Sequence, residues 1–113
     1  MIPPHLRVFF FTTPIDMRAS FDRLAQVARD GLGEDIRGGA LCCFINKHGS
    51  KCKLVWWDGS GLCIFYKRAH ETRFVSPRIV DGVLHLRLEH DELARLISGV
   101  HKHRARRKIL FDA

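Results

Sequence analysis

The sequence predicts an α+β domain with one antiparallel β-meander sheet, one helix packed on a face of that sheet and a short C-terminal helix. Short apolar runs alternate with turn residues through the middle of the chain, and a helical apolar period occupies residues 16–30 and recurs from Leu93 to Val100. A chain of 113 residues with 46% apolar and 27% charged residues has enough material for one modest core. We therefore expect a single domain over residues 1–100, followed by a basic tail over residues 101–113.

The predicted strands are short apolar runs bounded by turn signals, and the first of them is rich in β-branched and aromatic residues. The first, "LRVFFFTT", ends before Pro14. The sequences "KHGS" and "DGSG" supply the Gly, Asp and Ser residues of tight reversals, and they link the central strands into a meander. The predicted strands cover residues 6–13, 40–46, 51–58, 62–69 with a continuation to 74, and 83–89.

Two amphipathic helices follow from apolar residues that recur every three or four positions. Either Asp16 or Ser20 is expected to cap the start of the first helix, and Gly31 is expected to stop it. The second helix has acidic residues in its first turn, where they favour the helix dipole. The apolar faces consist of Met17, Phe21, Leu24 and Ala28 in the first helix, and of Leu93, Leu96, Ile97 and Val100 in the second.

The most apolar and aromatic stretch is "KLVWWDGSGLCIFYKR", residues 53–68. With Gly59 and Ser60 at the tip, both faces of this hairpin are apolar, so the second face needs another helix, the rest of the sheet or an outside partner as cover. We expect one of the two tryptophans to be buried and the other to lie at the edge of an exposed apolar patch. The predicted cross-strand pairs are Asp58–Gly61, Trp57–Leu62, Trp56–Cys63, Val55–Ile64, Leu54–Phe65 and Lys53–Tyr66.

Catalytic and metal-binding motifs are absent from the sequence. It contains no G-x-S-x-G elbow, no phosphate-binding glycine loop and no C-x2-4-C pair. We expect no enzymatic activity, no metal, no cofactor and no small-molecule substrate. No secretory signal opens the chain and no apolar run is long enough to span a membrane, so reduced thiols in the cytoplasm are expected. The spacing of the carboxylates supports no metal site, and the cysteines are expected to be structural; these residues are Asp16, Asp58, Glu71 and Asp81, and Cys42, Cys43, Cys52 and Cys63.

The formal net charge of +7 favours contact with nucleic acid or another polyanion. Five lysine and arginine residues against a single acid lie within residues 101–113. Further cations lie beside aromatic residues on the meander, an arrangement that can hold phosphates and stack bases. The same pattern also fits a buried aromatic core with a solvated, charged strand edge that discourages aggregation. The residues alone leave both interpretations open.

Three blocks of the sequence together resemble the accessory protein of insertion-sequence-66 elements, the TnpB-like or Orf2-like family. They are "TPIDMRASFDRLA", "GALCCFINKHGSKCKLVWWDGSGLCIFYKR" and the later "RF", and the resemblance covers roughly residues 5–100. It implies a bacterial mobile element with a separate, larger transposase that carries out the chemistry, and it supplies no catalytic residues. The motif positions are Asp16, Met17, Arg18, Trp57, Asp58, Gly59, Gly61, Lys67 and Arg68.

The expected function is non-catalytic assistance to transposition, with DNA, the transposase or both as partners. The alternative is a protein-interaction module that forms homo-oligomers or docks on a protein through an apolar sheet face. Phosphate contacts weaken steeply with salt and an apolar interface does not, so ionic strength separates the two. The candidate contact residues are Arg18, Lys51, Lys53, Trp57, Lys67, Arg68, Arg73, Lys102, Arg104, Arg106, Arg107 and Lys108.

Overall fold

Two helices and seven strands make up the computed structural model of the protein, which describes residues 2–78 and 80–101. In chain order the elements are β1 (Arg7–Phe11), α1 (Phe21–Leu32), a 3-10 helix (Ile36–Gly38), β2 (Ala40–Ile45), β3 (Lys51–Trp57), β4 (Leu62–Arg68), β5 (Thr72–Arg73), β6 (His85–Leu88), α2 (His90–Ser98) and β7 (Val100–His101). Five strands form one sheet in the order β4-β3-β2-β1-β6, and β5 pairs with β7 in a separate ribbon. The predicted α+β class is confirmed.

The main sheet is mixed, because β1 runs parallel to β2. Its other pairings, β1–β6, β2–β3 and β3–β4, are antiparallel, and the last two confirm the predicted meander. A parallel neighbour needs a long crossover, and α1 with its flanking loops provides it between β1 and β2. The order strand, helix, strand over residues 6–46 is typical of a parallel crossover, so the antiparallel prediction was wrong for β1 at a place where the sequence carried a signal.

The helices cover opposite faces of the sheet. Leu24 and Ala28 of α1 pack in one core cluster with Phe44 and Val55, and the second helix packs in the other cluster. We expected α2 at the end of the sheet, but its leucines lie on a face because the central strands are apolar on both sides. The cluster under α2 consists of Leu6, Val8, Phe10, Leu41, Cys43, Leu54, Trp56, Leu86, Leu88, Leu93 and Leu96.

All predicted cross-strand pairs of the β3–β4 hairpin are confirmed, from Trp57 opposite Leu62 to Lys53 opposite Tyr66, and the Asp58 N–H donates to the carbonyl of Gly61. The Trp56 side chain is buried, as predicted for one tryptophan, whereas Trp57 and its partner Leu62 are half-buried. Both faces of the hairpin therefore pack against other parts of the same chain, α1 on one side and α2 on the other.

The Asp58 carboxylate organises the turn of this hairpin. Its Oδ1 accepts hydrogen bonds from the N–H and the hydroxyl of Ser60 at 2.8 and 3.0 Å and from the N–H of Gly61 at 2.9 Å. These bonds lower the pKa of Asp58 to about 2. An aspartate that bonds the main chain two and three residues ahead fixes the turn, and the turn fixes the register of both strands.

The predicted end of the first helix was wrong, and so was the assignment of Val100 to the second helix. Gly31 lies inside α1, which ends at Leu32, and Gly33 adopts the left-handed conformation of a helix end, with φ of 73°. A Cβ at Gly31 would lie 2.6 Å from the Phe11 ring, so this glycine allows close packing of α1 on β1. The second helix ends at Ser98, and Val100 belongs to β7 instead. Ser20 is the residue that precedes α1, without a side-chain capping bond.

The segment after β4 wraps around the turn between β2 and β3. We expected it to continue the meander, but β5 pairs with β7. The Ala69 N–H donates to the Ser50 carbonyl at 2.8 Å, and the Phe74 N–H donates to the Gly49 carbonyl at 2.7 Å. The Phe74 side chain is buried. Gly49 has φ of 67°, and a Cβ there would collide with the carbonyl oxygen of Phe74.

We predict that Gly49→Ala destabilises the fold by about 1–3 kcal/mol or more, because alanine is strained at positive φ and its Cβ meets a fixed carbonyl. Urea unfolding measures the change. Gly38→Ala is the matched control, because Gly38 has no positive φ and nothing within 4 Å of an added Cβ. Equal free energies of unfolding for the two variants would contradict the prediction.

Candidate nucleic-acid interface

Residues 15–19, called here the D-M-R loop, carry an ion pair within one tight turn. The Asp16 Oδ1 accepts from the N–H of Arg18 at 2.9 Å, and the guanidinium Nη2 donates to Oδ2 at 2.8 Å. These bonds lower the pKa of the Asp16 carboxyl to about 2. The Arg18 side chain is 92% exposed. Asp16 therefore bonds Arg18 within the loop, and Ser20, not Asp16, is the residue that precedes α1.

Lys53 is buried with its charge, and it anchors the D-M-R loop to the sheet. Only 6% of its surface is exposed. Its ammonium donates to the main-chain carbonyls of Met17 and Ala19, both at 2.7 Å. The same ammonium lies 4.7 Å from the centroid of the Tyr66 ring on β4. Burial lowers the pKa of Lys53, and the carbonyls and the ring stabilise the charged form.

A cleft of about 840 Å³ lies between the D-M-R loop and the turn of residues 46–50. The turn is fixed by Asn46, whose Oδ1 accepts from the N–H groups of Ser50 and Lys51 at 2.8 and 3.1 Å. Both walls are therefore held by main-chain bonds, so the cleft is largely preformed. Its lining consists of Pro14, Ile15, Asp16, Met17, Arg18, Asn46, Lys47, His48, Lys51 and Tyr66.

Cations dominate the charge of this cleft. Among the described residues Asp16 is the one acid that lines it, and Arg18 neutralises that carboxylate. Lys51 stands directly opposite Arg68 in the β3–β4 ladder, on the same face as Tyr66. Like charges in directly opposed positions destabilise a sheet. Within residues 2–78 and 80–101, neither of these two cations nor Lys47 forms an ion pair.

The structure brings Arg18, Lys51 and Arg68 together at or beside the cleft and separates the other predicted contact residues. Lys53 lies beneath the D-M-R loop. Lys67 points to the other face, where its ammonium donates to the Ile97 carbonyl at 2.8 Å near the end of α2. The predicted residues Lys102, Arg104, Arg106, Arg107 and Lys108 lie outside the described residues.

Trp57 and Arg73 lie away from the cleft wall. Trp57 is at the opposite end of β3 from Lys51, roughly 20 Å along the strand at ~3.3 Å per residue. The Arg37 guanidinium lies 5.9 Å from its ring centroid. Arg73 is exposed on β5 and pairs with Val100 of β7. Neither residue lines the cleft.

Several residues that line the cleft were not predicted as contact residues from the sequence, notably Lys47, His48 and Tyr66. Lys47 and Tyr66 had a visible signal, a cation and an aromatic ring on the meander. His48 and Asn46 look like ordinary turn residues, and only the approach of the D-M-R loop makes them part of a wall.

The thiols of the described chain are structural. Burial raises the pKa of Cys42 to about 12 and of Cys52 to about 11, and it raises that of Cys43 well above its ordinary value. Such thiols stay protonated and unreactive at neutral pH. Among residues 2–78 and 80–101 no group of three or more His, Cys, Asp or Glu side chains could hold a metal ion. No helix in this part of the chain is long and apolar enough to cross a membrane.

The sequence model of a family described as "IS66 Orf2 like protein" matches residues 6–107. Two curated relatives come from Sinorhizobium fredii (strain NBRC 101917 / NGR234). The uncharacterised protein y4jC is 30% identical over 91% of this chain and 86% of its own length. The uncharacterised protein y4hO is 34% identical over 85% of this chain and 82% of its own length. No solved structure matches the chain significantly.

We predict that Lys53→Met lowers the free energy of unfolding by about 1–3 kcal/mol, because two loop carbonyls lose their donor. Urea unfolding checks this, and amide chemical shifts of the D-M-R loop report whether it leaves the sheet. Lys51→Met is the control, two residues away on the same face and without a side-chain bond to a described carbonyl. An equal effect of both changes would show that the carbonyl bonds are not the cause.

We predict that Arg18→Gln raises the pKa of Asp16 from about 2 toward its ordinary 3.8. Because the pKa of Asp16 is lowered in the folded protein, the ion pair stabilises the fold at pH values above 3.8, the ordinary pKa of aspartate. This stabilisation is lost as the pH falls through about 2. Carboxyl carbon NMR titration measures the shift. Asp58 is the internal control, because its equally low pKa of about 2 depends on Ser60 and Gly61. An unchanged Asp16 pKa would assign the shift to the main-chain bond alone.

Proposed function

The chain belongs to the IS66 Orf2-like family, and we propose that it is a non-catalytic accessory protein for transposition of an insertion-sequence element. The family points to this role in general terms. The finer proposal is that the protein contacts DNA through the cleft between the D-M-R loop and the turn of residues 46–50. In this role it acts beside a transposase, which is the second proposed partner.

This proposal is carried by the cations at the cleft that form no ion pair with any described residue. Lys51 and Arg68 face each other across the ladder, and Lys47 lies on the neighbouring turn. Their mutual repulsion weakens the isolated protein, and a phosphate beside them would turn that repulsion into attraction. Arg18 adds a guanidinium whose Nη1 makes no bond to a described residue. The arrangement suits an anionic backbone better than it suits an apolar partner.

The basic tail supplies a second proposed set of phosphate contacts. Its cations Lys102, Arg104, Arg106, Arg107 and Lys108 are concentrated in seven successive positions of the sequence. Phosphate contacts increase affinity for any sequence and carry no base information. We propose that the tail strengthens DNA binding in general and that the cleft determines the form of DNA bound.

A second candidate function is favoured by a separate observation. Val75 and Val100 are 38% and 46% exposed, and together with Pro77 and Leu96 they line a small cavity of about 240 Å³. Leu84 is 65% exposed before β6. Exposed apolar side chains of this kind suit a protein partner or a second copy of the chain. The sheet face under Trp56 no longer supports this alternative, since α2 covers it.

We predict that the double variant Lys51→Gln, Arg68→Gln weakens binding to duplex DNA and flattens the plot of log K against log salt by about 0.9 per lost phosphate contact. Fluorescence anisotropy with a labelled duplex measures both. The control is the double variant Arg23→Gln, Arg29→Gln, which removes the same amount of charge from exposed positions on α1. It should leave the salt slope unchanged. Deletion of residues 102–113 should flatten the slope further.

Two results would overturn the DNA proposal. One is an absence of measurable DNA binding by the full chain, and the other is an equal loss of slope in the cleft and α1 variants. If the protein instead captures its transposase with an affinity independent of salt, and Leu84→Ser abolishes the capture, the second candidate is the correct one. A transposition assay in cells then shows which contact the accessory role requires.

A further inference from the structure

Tyr66 is the one tyrosine of the chain, and its ring is held beside the cations of the cleft. It is 51% exposed on the edge strand β4. The Lys53 ammonium lies 4.7 Å from the ring centroid, and the Met17 and Ala19 carbonyls hold that ammonium in place. A ring that is backed by a fixed cation and exposed over half its surface is a preformed platform for stacking.

The groups around the Tyr66 ring suit a nucleic-acid strand, because the cations can bind its phosphates and the ring can stack with one base. Arg18, Lys47 and Lys51 line the same cleft as the ring. A duplex keeps its bases stacked on one another, so it can offer this cleft only phosphates. An unpaired strand can also place a base on an aromatic ring.

We propose that the cleft binds single-stranded nucleic acid, with one unpaired base stacked on Tyr66 and the flanking phosphates at Lys47, Lys51 and Arg18. This proposal rests on the proposed contact with DNA and names the form of DNA that the cleft prefers. Every base has a flat π face, so the site tolerates different sequences. Unpaired DNA and RNA share this chemistry, and the probes below separate them.

The test measures the affinity of the full chain for labelled oligo(dT) of about 8 nucleotides, oligo(U) of the same length and a matched duplex. Tyr66→Ala should weaken single-strand binding by about 5-fold to 100-fold, the usual effect of one lost stacking contact. Duplex binding should stay unchanged. Tyr66→Phe should retain the affinity. Phe21→Ala removes another exposed aromatic ring, at 46% exposure outside the cleft, and should have no effect.

A second readout follows the ring itself. Because the chain has one tyrosine, selective labelling yields a single set of ring signals. A stacked base should move these signals upfield during titration with oligo(dT), an effect that loss of stability would not produce. DNA binding with equal affinity for both forms, or with unmoved ring signals, would overturn this inference and leave the proposed function intact. No binding to any probe would overturn both.

Discussion

An ammonium group removed from water requires acceptors, and Lys53 finds them in the carbonyls of Met17 and Ala19. These two bonds hold the D-M-R loop over the end of β3, where it forms one wall of the cleft. They also fix the ammonium beside the Tyr66 ring. The ion pair of Asp16 and Arg18 then shapes the loop itself. A single buried charge thus determines where the loop lies and how the ring is supported.

The local parts of the fold could be predicted from the sequence because local chemistry determines them. The turn sequence "DGSG" fixes the hairpin register through Asp58, and every predicted pair is present. The parallel pairing of β1 with β2 joins residues more than thirty positions apart, and its signal is the order strand, helix, strand rather than a local residue pattern. The end of α1 was misplaced because Gly31 serves close packing on Phe11, whereas the left-handed conformation occurs at Gly33.

The candidate site was predicted less well than the fold. Lys51, Lys53 and Lys67 look alike in the sequence, but strand alternation and burial give them three different environments. Lys51 lines the cleft, whereas the other two donate to main-chain carbonyls. The resemblance to a family pointed to Asp16 and Arg18 without a role for either. Their position in the cleft depends on the loop lying beside the turn of residues 46–50. The two segments are distant in the sequence, so residue spacing could not predict that they lie together.

The ribbon of β5 and β7 has a consequence for the basic tail. His101 pairs with Thr72, and two residues later the Phe74 N–H bonds to Gly49, next to His48 in the cleft wall. His101, the last described residue, therefore lies on a ribbon whose first strand is bonded to the turn of residues 46–50. Under the proposed function, a tail tethered to this ribbon brings its cations to a high effective concentration around a DNA strand bound in the cleft. Lengthening the chain between ribbon and tail would then weaken DNA binding without removing a charge.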